Sequence, residues 1–226
     1  MTAPPRLALF DLDNTLLTGD TDVLWCEFLL ERGVLDASFA AANADMDRRY
    51  RAGDATSQEF CALYVSALTG MSKPQGELLR GEFFRDWIQP RIPADARALV
   101  DRHRDDGDIL IMTTATNRFI TDLTAHAFGI EHLIATDVEE INGVFTGKTL
   151  GVLNMREGKV TRLTQWLQNR EWPHSLIEHA SFYSDSINDL PLLSEVANPV
   201  AVDPDARLAK EVEARSWQTI KFDRSH

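Results

Sequence analysis

Short unbroken apolar runs and stretches of helical spacing share this chain, but not evenly. Leu7-Ala8-Leu9-Phe10 is an apolar run closed by Asp11 and Asp13. That is the pattern of a buried strand whose C-terminal end opens onto a loop. From residue 16 to residue 88 no strand pattern occurs. Val23, Leu24, Trp25, Phe28 and Leu29 form the apolar face of a helix that Asp20, Thr21 or Asp22 can cap and Gly33 can end. Further helices are predicted from Asp36 to Arg51, Ser57 to Leu68 and Gln75 to Ile88, punctuated by Gly53, Gly70 and Pro74. A single strand cannot bury itself, so this helical block reads as an insert over a sheet completed later.

After Pro90 and Pro93 strands and helices alternate. A helix is predicted over Ala94–Arg104, then a strand over Ile109–Met112 ending in Thr113-Thr114-Ala115-Thr116-Asn117, then a helix over Phe119–Phe128. His132–Thr136 reads as a strand, and Val138–Ile141 with Val144–Thr146 as a hairpin about Asn142-Gly143. A helix over Val160–Leu167 follows. The strand Ala180–Ser184 runs into Asp185-Ser186-Ile187-Asn188-Asp189, and a short helix over Leu190–Val196 carries Pro191 in its first turn. Val200–Val202, Ala206–Arg215 and Thr219–Phe222 complete the pattern as strand, helix and edge strand. Alternation of this kind predicts an α/β protein with a doubly wound parallel sheet.

Composition narrows the function more than the fold. The 226 residues allow one large domain or a core with an insert. The formal charge of −12 argues against a nucleic-acid partner, because phosphate neutralisation needs a basic surface. It leaves room for a small phosphorylated substrate, since one metal ion and one lysine set a local field whatever the global sign. Cys26 and Cys61 make no metal or redox motif and read as buried thiols in a reducing cytosol. The six histidines are scattered without ligand spacing, and His126 and His132 read as surface or internally satisfied residues. Met1–Arg6 lacks the apolar core of a signal peptide, and no apolar run approaches the ~20 residues of a membrane span. The expectation is a soluble, cytoplasmic protein with neither membrane nor nucleic-acid partner, as a monomer or homodimer.

Four polar clusters fall at one topological position: Asp11/Asp13, Thr113/Thr114, the loop and helix start around Lys159, and Asp185/Asp189. Parallel strands place them on one edge, where open α/β sheets bind ligands. Each has a plainer reading. An Asp-x-Asp can merely hold a metal, Thr114 can finish a strand, and Lys159 after Gly158 can be solvated in a first helical turn. Asp189 can cap the Leu190 helix, and Asn188 can be turn chemistry. Together they match what phosphoryl transfer requires: an in-line nucleophile, neutralised equatorial oxygens and a proton for the leaving group. Asp11, at the rigid strand end, suits a nucleophile that forms an aspartyl phosphate. Asp13 suits a general acid that later activates water. Mg²⁺ needs few protein oxygens, and Asp11, the main-chain carbonyl of Asp13 and Asp185 would suffice. Thr114 and Lys159 would hold the phosphoryl oxygens, and Lys159 would keep Asp11 ionised.

Asp11-Leu12-Asp13-Asn14-Thr15 resembles the first motif of the haloacid-dehalogenase superfamily of aspartate-nucleophile phosphatases. Ile109 to Thr114 resembles the second and Lys159 the third. Ser184-Asp185-Ser186-Ile187-Asn188-Asp189 resembles the fourth, with Ser184 and Ser186 where glycines are usual. The resemblance covers nearly the whole chain. It implies a Rossmann-like core over residues 1–16 and 90–226, an all-helical cap over 17–89, and dependence on Mg²⁺, with Asn188 and Asp189 supporting the site.

Within the superfamily the chain is similar to the phosphoserine-phosphatase-like branch, whose members carry an acidic residue nine positions after the nucleophile; Asp20 stands there. The cap arginine that holds a substrate carboxylate in that branch is missing, since no arginine occurs from Phe60 to Leu68. Ala115-Thr116-Asn117 also replaces the usual glycines. Arg48, Arg49 and Arg51 could substitute or simply form a solvated helix face. The histidinol-phosphate phosphatases of the same branch look similar from Asp11 to Trp25. Histidinol phosphate bears an ammonium and an imidazole but no carboxylate, and an acidic cap without the arginine suits it. Asp20, Asp22, Trp25 and Asn117 are the candidate substrate contacts, an acidic helix start being the alternative for both aspartates. The expected activity is therefore Mg²⁺-dependent hydrolysis of a small phosphomonoester, L-histidinol phosphate first and phosphoserine second. Transfer of the phosphoryl group to an alcohol, or binding without turnover, are the competing classes.

Overall fold

The computed structural model describes residues 6–224; residues 1–5 and 225–226 and the side chain of Arg51 lie outside the described residues. Seven strands form one sheet in the order β4-β3-β2-β1-β5-β6-β7. They are β1 (Leu7–Phe10), β2 (Ile109–Asn117), β3 (His132–Ile141), β4 (Val144–Leu150), β5 (Ser181–Ser184), β6 (Asn198–Val202) and β7 (Gln218–Ile220). All neighbours are parallel except β3 and β4. β1 lies centrally, with Leu7 opposite Ile109 of β2 and Ala8 opposite Ser181 of β5. Its four residues are all buried because both faces of the sheet are covered. Successive side chains point to opposite faces. Ala8 and Phe10 join one core cluster with Met112 and the helical insert, while Leu7 and Leu9 join the other with Ile111, Leu163, Ile177 and Phe182.

The insert between β1 and β2 holds α1 (Thr21–Glu31), α2 (Ala37–Ala52), α3 (Ser57–Ser66) and α4 (Lys73–Phe83). A π-helical turn over Phe84–Ile88 and a 3₁₀ turn over Gln89–Arg91 lead out of it. Local chemistry sets these ends. Asp20 caps α1 by accepting from the Val23 N–H, and Gly33 leaves it with a φ of 67°. Asp36 caps α2, and Thr56 with Glu59 forms a capping box on α3. The connections entering and leaving the insert touch, the Thr18 N–H donating to the Arg91 carbonyl at 2.9 Å.

The rest follows the alternating pattern as α5 (Ala94–Asp105), α6 (Arg118–Ala127), α7 (Glu157–Gln168), α8 (Ser175–Glu178), α9 (Leu190–Leu193) and α10 (Ala206–Arg215). The pattern misplaces two features. β3 runs unbroken from His132 to Ile141, so the hairpin is the far half of a sheet strand returning as the antiparallel edge. The one-turn α8 is too short to show a period. The hairpin also supports the insert. Gly70 N–H donates to the Phe145 carbonyl at 2.9 Å and Lys73 N–H to the Gly143 carbonyl at 2.8 Å. Gly76 lets α4 come close, because a Cβ there would sit 2.8 Å from the Phe119 ring. Both cysteines are free and buried. Among the described residues no helix is long and apolar enough to cross a membrane.

Candidate active site

The C-terminal ends of β1, β2 and β5 and the first turn of α7 meet at one cavity. Asp11 leaves β1 with its N–H on the Tyr183 carbonyl at 2.9 Å. One of its carboxylate oxygens accepts from Lys159 Nζ at 2.7 Å and the other from the Thr15 hydroxyl at 3.1 Å. The same hydroxyl lies 3.0 Å from Asp185 Oδ1 and accepts from the Asp185 N–H at 3.0 Å. Asn14 makes the turn possible with a φ of 57°, a conformation asparagine tolerates. Thr15 thus spans the two carboxylates predicted to flank a cation.

Asp13 is held from two sides. Its Oδ1 accepts from the N–H of Thr21 at 2.7 Å and from the Thr21 hydroxyl, both on the first residue of α1. Its Oδ2 accepts from the hydroxyls of Thr114 at 3.1 Å and Thr116 at 2.8 Å. Four donors therefore aim the carboxylate two residues beyond Asp11.

Lys159 is 2% exposed and bridges Asp11 and Asp189, each at 2.7 Å. This excludes a solvated lysine. Asp189 makes no side-chain cap to α9; it accepts from Lys159 and, at 2.7 Å, from the Ser184 hydroxyl. The loop that delivers Lys159 is pinned by Asn154, whose Nδ2 donates to the Thr114 carbonyl at 2.9 Å, the Ile134 carbonyl at 2.8 Å and the Thr113 hydroxyl at 3.0 Å. Gly158 is required by the packing, since a Cβ would fall 2.0 Å from the Leu153 carbonyl oxygen.

The charges are strongly perturbed. Burial pushes Asp11 up to about 7 against the pull of Lys159, with Asp189 and Asp13 adding repulsion. Burial works against the Lys159 ammonium, but Asp11 and Asp189 outweigh it and hold its pKa above the ordinary lysine value. Burial, then the charge of Asp11, drives Asp185 well above the carboxylate range. Asp20 is pushed up to about 7 by burial and by Asp13.

Asp11, Asp13, Asp20, Lys159, Asp185, Asn188 and Asp189 line an inner cavity of about 70 Å³, with Thr116, Tyr50, Phe60 and Met155 on its walls. It opens into a mouth of about 410 Å³ bordered by Asp47, Asp203, Asp205 and Arg207. Among the described residues Lys159 is the one cationic side chain lining the inner cavity. Across it, Asn188 Nδ2 donates to the Tyr50 hydroxyl at 2.9 Å, joining the sheet to α2. Phe60 packs against Tyr50 with ring centroids 4.2 Å apart. Arg48 and Arg49 pair with Asp45 and Glu59 on the outer surface.

Thr114 lies one layer back, fully buried behind Asp13, and Thr116 is the hydroxyl at the wall. Three predicted substrate contacts are corrected. Trp25 is 1% exposed and packs on Phe28 and Phe83 inside the insert. Asp22 is buried against the Thr116 hydroxyl at 3.2 Å and Asn117 Nδ2 at 3.5 Å, and Asn117 Oδ1 caps α6 through the Ile120 N–H. These two brace the cavity wall from behind. Thr15, Tyr50, Thr116 and Asn154 were missed as site residues, although Thr15 and Thr116 stand inside the stretches that drew attention.

The donor set fits Mg²⁺. Asp11 and Asp185 present hard carboxylate oxygens on either side of Thr15, buried and mutually repelling, a charge excess that a small divalent cation relieves. The Asp13 carboxylate is taken up by Thr21, Thr114 and Thr116, so its main-chain carbonyl is the atom it can offer. Among the described residues no three His, Cys, Asp or Glu side chains converge as a ready-made metal cluster. Mg²⁺, which keeps several waters, does not need one.

The profile of the haloacid dehalogenase-like hydrolases matches residues 8–194. The chain is 39% identical over 219 residues to a histidinol-phosphatase of Neisseria meningitidis, covering 96% of this chain and 99% of that one. It is 29% identical over 221 residues to the phosphoserine phosphatase SerB1 of Mycobacterium tuberculosis, covering 95% and 70%. Among solved structures, a protein of unknown function from Bordetella pertussis Tohama I superposes with a TM-score of 0.90 at 40% identity, over 96% of this chain and 99% of that one. A substrate-bound phosphoserine phosphatase complex shares the fold, with a TM-score of 0.72 at 15% identity over 99% and 96% of the two chains.

Proposed function

The chain belongs to the haloacid dehalogenase-like hydrolases and is a phosphatase of that family, and from that premise we propose that it hydrolyses L-histidinol phosphate with Mg²⁺ through an aspartyl phosphate. The observation that carries the substrate is the wall of the inner cavity. Asp20 offers a carboxylate to an ammonium, Tyr50 and Phe60 offer aromatic faces to an imidazole, and among the described residues no cation besides Lys159 lines the inner cavity to partner a carboxylate. Phosphoserine would bury its carboxylate there unpaired, which is costly. The full-length likeness to the Neisseria histidinol-phosphatase points the same way. In this reading residues 17–89 act as the cap and residues 1–16 and 90–226 as the core.

Asp11 attacks phosphorus, held in position by Lys159 and Thr15. Asp13 gives a proton to the departing alcohol oxygen and afterwards takes one from the water that cleaves the aspartyl phosphate. Thr114 and Thr116 bring two hydroxyls to Asp13 Oδ2, and hydroxyls rotate, so both can turn to a phosphoryl oxygen. Lys159 stabilises the charge on the transferring group from an almost fully buried position, where its charge acts more strongly than in water. Asp11, Asp185 and the Asp13 carbonyl would hold Mg²⁺, which supplies charge neutralisation of the phosphoryl oxygens.

The test is phosphate release from histidinol phosphate, phosphoserine, several sugar phosphates and p-nitrophenyl phosphate with Mg²⁺, with acceptor alcohols added to reveal transfer. The expected kcat/KM for histidinol phosphate exceeds that for phosphoserine by about a hundredfold or more, as the unpaired buried carboxylate dictates. A preference for phosphoserine would overturn the substrate, and a phosphorylated alcohol as main product would overturn hydrolysis.

A further inference from the structure

The described chain ends by returning to the active site. Arg224, beyond β7, reaches the turn that follows Asp11 and Asp13. Its Nη2 lies 2.7 Å from the Asn14 carbonyl oxygen and 3.0 Å from that of Thr15. Its Nη1 lies 3.0 Å from the Leu17 carbonyl oxygen and 3.3 Å from the Thr18 hydroxyl. Nε donates to Asp203 Oδ2 at 2.9 Å. These are five contacts for the five N–H donors of a planar guanidinium, and the side chain is only 21% exposed. The backbone around it is tied down as well. Phe222 N–H donates to the same Asp203 oxygen at 3.3 Å, and Asp223 N–H to Asp95 at the start of α5 at 2.8 Å.

What the fork grips matters more than the number of bonds. Thr15, whose carbonyl it holds, shares its hydroxyl between Asp11 and Asp185. Thr18, at the other end of the grip, donates its N–H to the Arg91 carbonyl, where the chain leaves the helical insert. We infer that Arg224 is a positioning residue: it holds the turn over residues 14–18, and through that turn sets both the approach of Asp11 to Asp185 and the junction where the chain enters and leaves the insert. Arg224 lines neither cavity itself but backs Asn14 and Asp203, which do, so it acts through the turn and not on the substrate. The catalytic part of this inference rests on the phosphatase reading of the site.

The experiment compares Arg224→Ala, Arg224→Lys and Arg224→Gln in the full chain. Expected in Arg224→Ala are a kcat on p-nitrophenyl phosphate lower by roughly 10- to 100-fold, the effect of a misplaced reacting group, and a KM changed by less than about threefold. Mg²⁺ binding, measured by calorimetry without substrate, should weaken by about tenfold, the lower end of what disturbing groups that orient metal ligands costs. Amide hydrogen exchange should rise over residues 14–18. Added guanidinium at low millimolar concentration should recover part of the kcat, whereas Arg224→Lys should not, because one ammonium cannot span the carbonyls. A lysine variant with wild-type kcat and exchange would overturn the inference, as would unchanged exchange over residues 14–18 in Arg224→Ala. If Arg224→Ala does not fold, Arg224→Gln, which keeps the length and one amide donor, carries the same readouts, and wild-type values there would overturn it equally. Should the wild-type chain release no phosphate, the phosphatase reading fails while Mg²⁺ binding and hydrogen exchange still decide the role of Arg224.

Discussion

Replacing Lys159 with methionine removes an ammonium while keeping a flexible apolar stem. In the native protein Nζ sits 2.7 Å from a carboxylate oxygen of both Asp11 and Asp189, and the three side chains are 3%, 9% and 4% exposed. Removing one partner of a buried ion pair costs about 3–5 kcal/mol, because the remaining charge is left desolvated and unpaired. Here two carboxylates lose the same cation, but Asp189 keeps the Ser184 hydroxyl and Asp11 keeps that of Thr15. Asp11 can also take up a proton, which limits the penalty. At about 2–4 °C per kcal/mol for a chain of this size, a loss of order 10 °C in Tm is expected at pH 8. The pH dependence has a definite sign. Burial already holds Asp11 near 7 despite Lys159, and without the lysine it rises further. A carboxyl with a folded pKa above its unfolded value of about 3.9 binds more protons when folded, so stability falls as pH rises between the two values. Lys159→Met should therefore lie furthest below wild type at pH 8 and recover towards pH 5. Thermal melts in Mg²⁺-free buffer at pH 5, 6.5 and 8 measure this, and phosphate release should show kcat lower by roughly 10²–10³-fold. A variant as stable as wild type at pH 8, or one whose deficit grows on acidification, would refute the electrostatic account of the Asp11–Lys159–Asp189 cluster.

Three further outcomes follow from the same geometry. Asp11→Asn should lower turnover of p-nitrophenyl phosphate by roughly 10⁴-fold or more, the scale of removing a nucleophile; wild-type rates would end the aspartyl-phosphate mechanism. Asp20→Ala should raise KM for histidinol phosphate by about tenfold, as expected for a lost charged hydrogen bond, and leave that for p-nitrophenyl phosphate within about threefold. Because burial and Asp13 hold Asp20 near 7, the wild-type KM for histidinol phosphate should climb as pH falls from 8 to 6 and the acid becomes neutral, a dependence the alanine variant should lack; equal effects on both substrates would remove Asp20 from recognition. Asn154→Leu strands the carbonyls of Thr114 and Ile134 and should cost about 2–4 kcal/mol with a parallel fall in kcat; an unchanged Tm would show that the loop before Lys159 is held by something else.

The sheet was largely legible because its central strands are buried on both faces and so appear as continuous apolar runs ending in polar turns. β3 shows where that signal stops. Asp137 interrupts the apolar run and splits it into two apparent strands. In the protein its carboxylate is held by Arg118 Nε at 2.7 Å and Arg162 Nη2 at 2.5 Å, so the charge is neutralised and the strand continues. Those partners come from α6 and α7, and no local pattern announces them. The short α8 was invisible for a simpler reason, since one turn carries no period.

At the site, residues that end a buried strand or begin the next helix were readable, whereas those that converge from elsewhere were not. Asp22 and Trp25 were placed with Asp20 on nearness in sequence. Asp20 is the cap outside α1, but Asp22 and Trp25 stand three residues apart on the helix and share the face that packs inward. Tyr50 and Asn154 come from the end of α2 and from a loop, and only the folded chain brings them to Asn188 and Thr114.

The pair that opens the chain is supported from different parts of the fold. Asp11, the proposed nucleophile, is held by Lys159 and Thr15, and Thr15 answers to Asp185 and Arg224. Asp13, the proposed acid and base, takes two of its four donors from Thr21, the first residue of the insert, and two from β2. A displacement of the insert relative to the sheet would therefore break the Thr21 half of the support of Asp13, while the bonds of Asp11 to Lys159 and Thr15 come from outside the insert. With the insert as the proposed substrate-selecting cap and Asp13 as the proposed proton donor, Thr21 is the link by which a ligand that shifts the helices would also disturb the acid, tying recognition to the step it precedes.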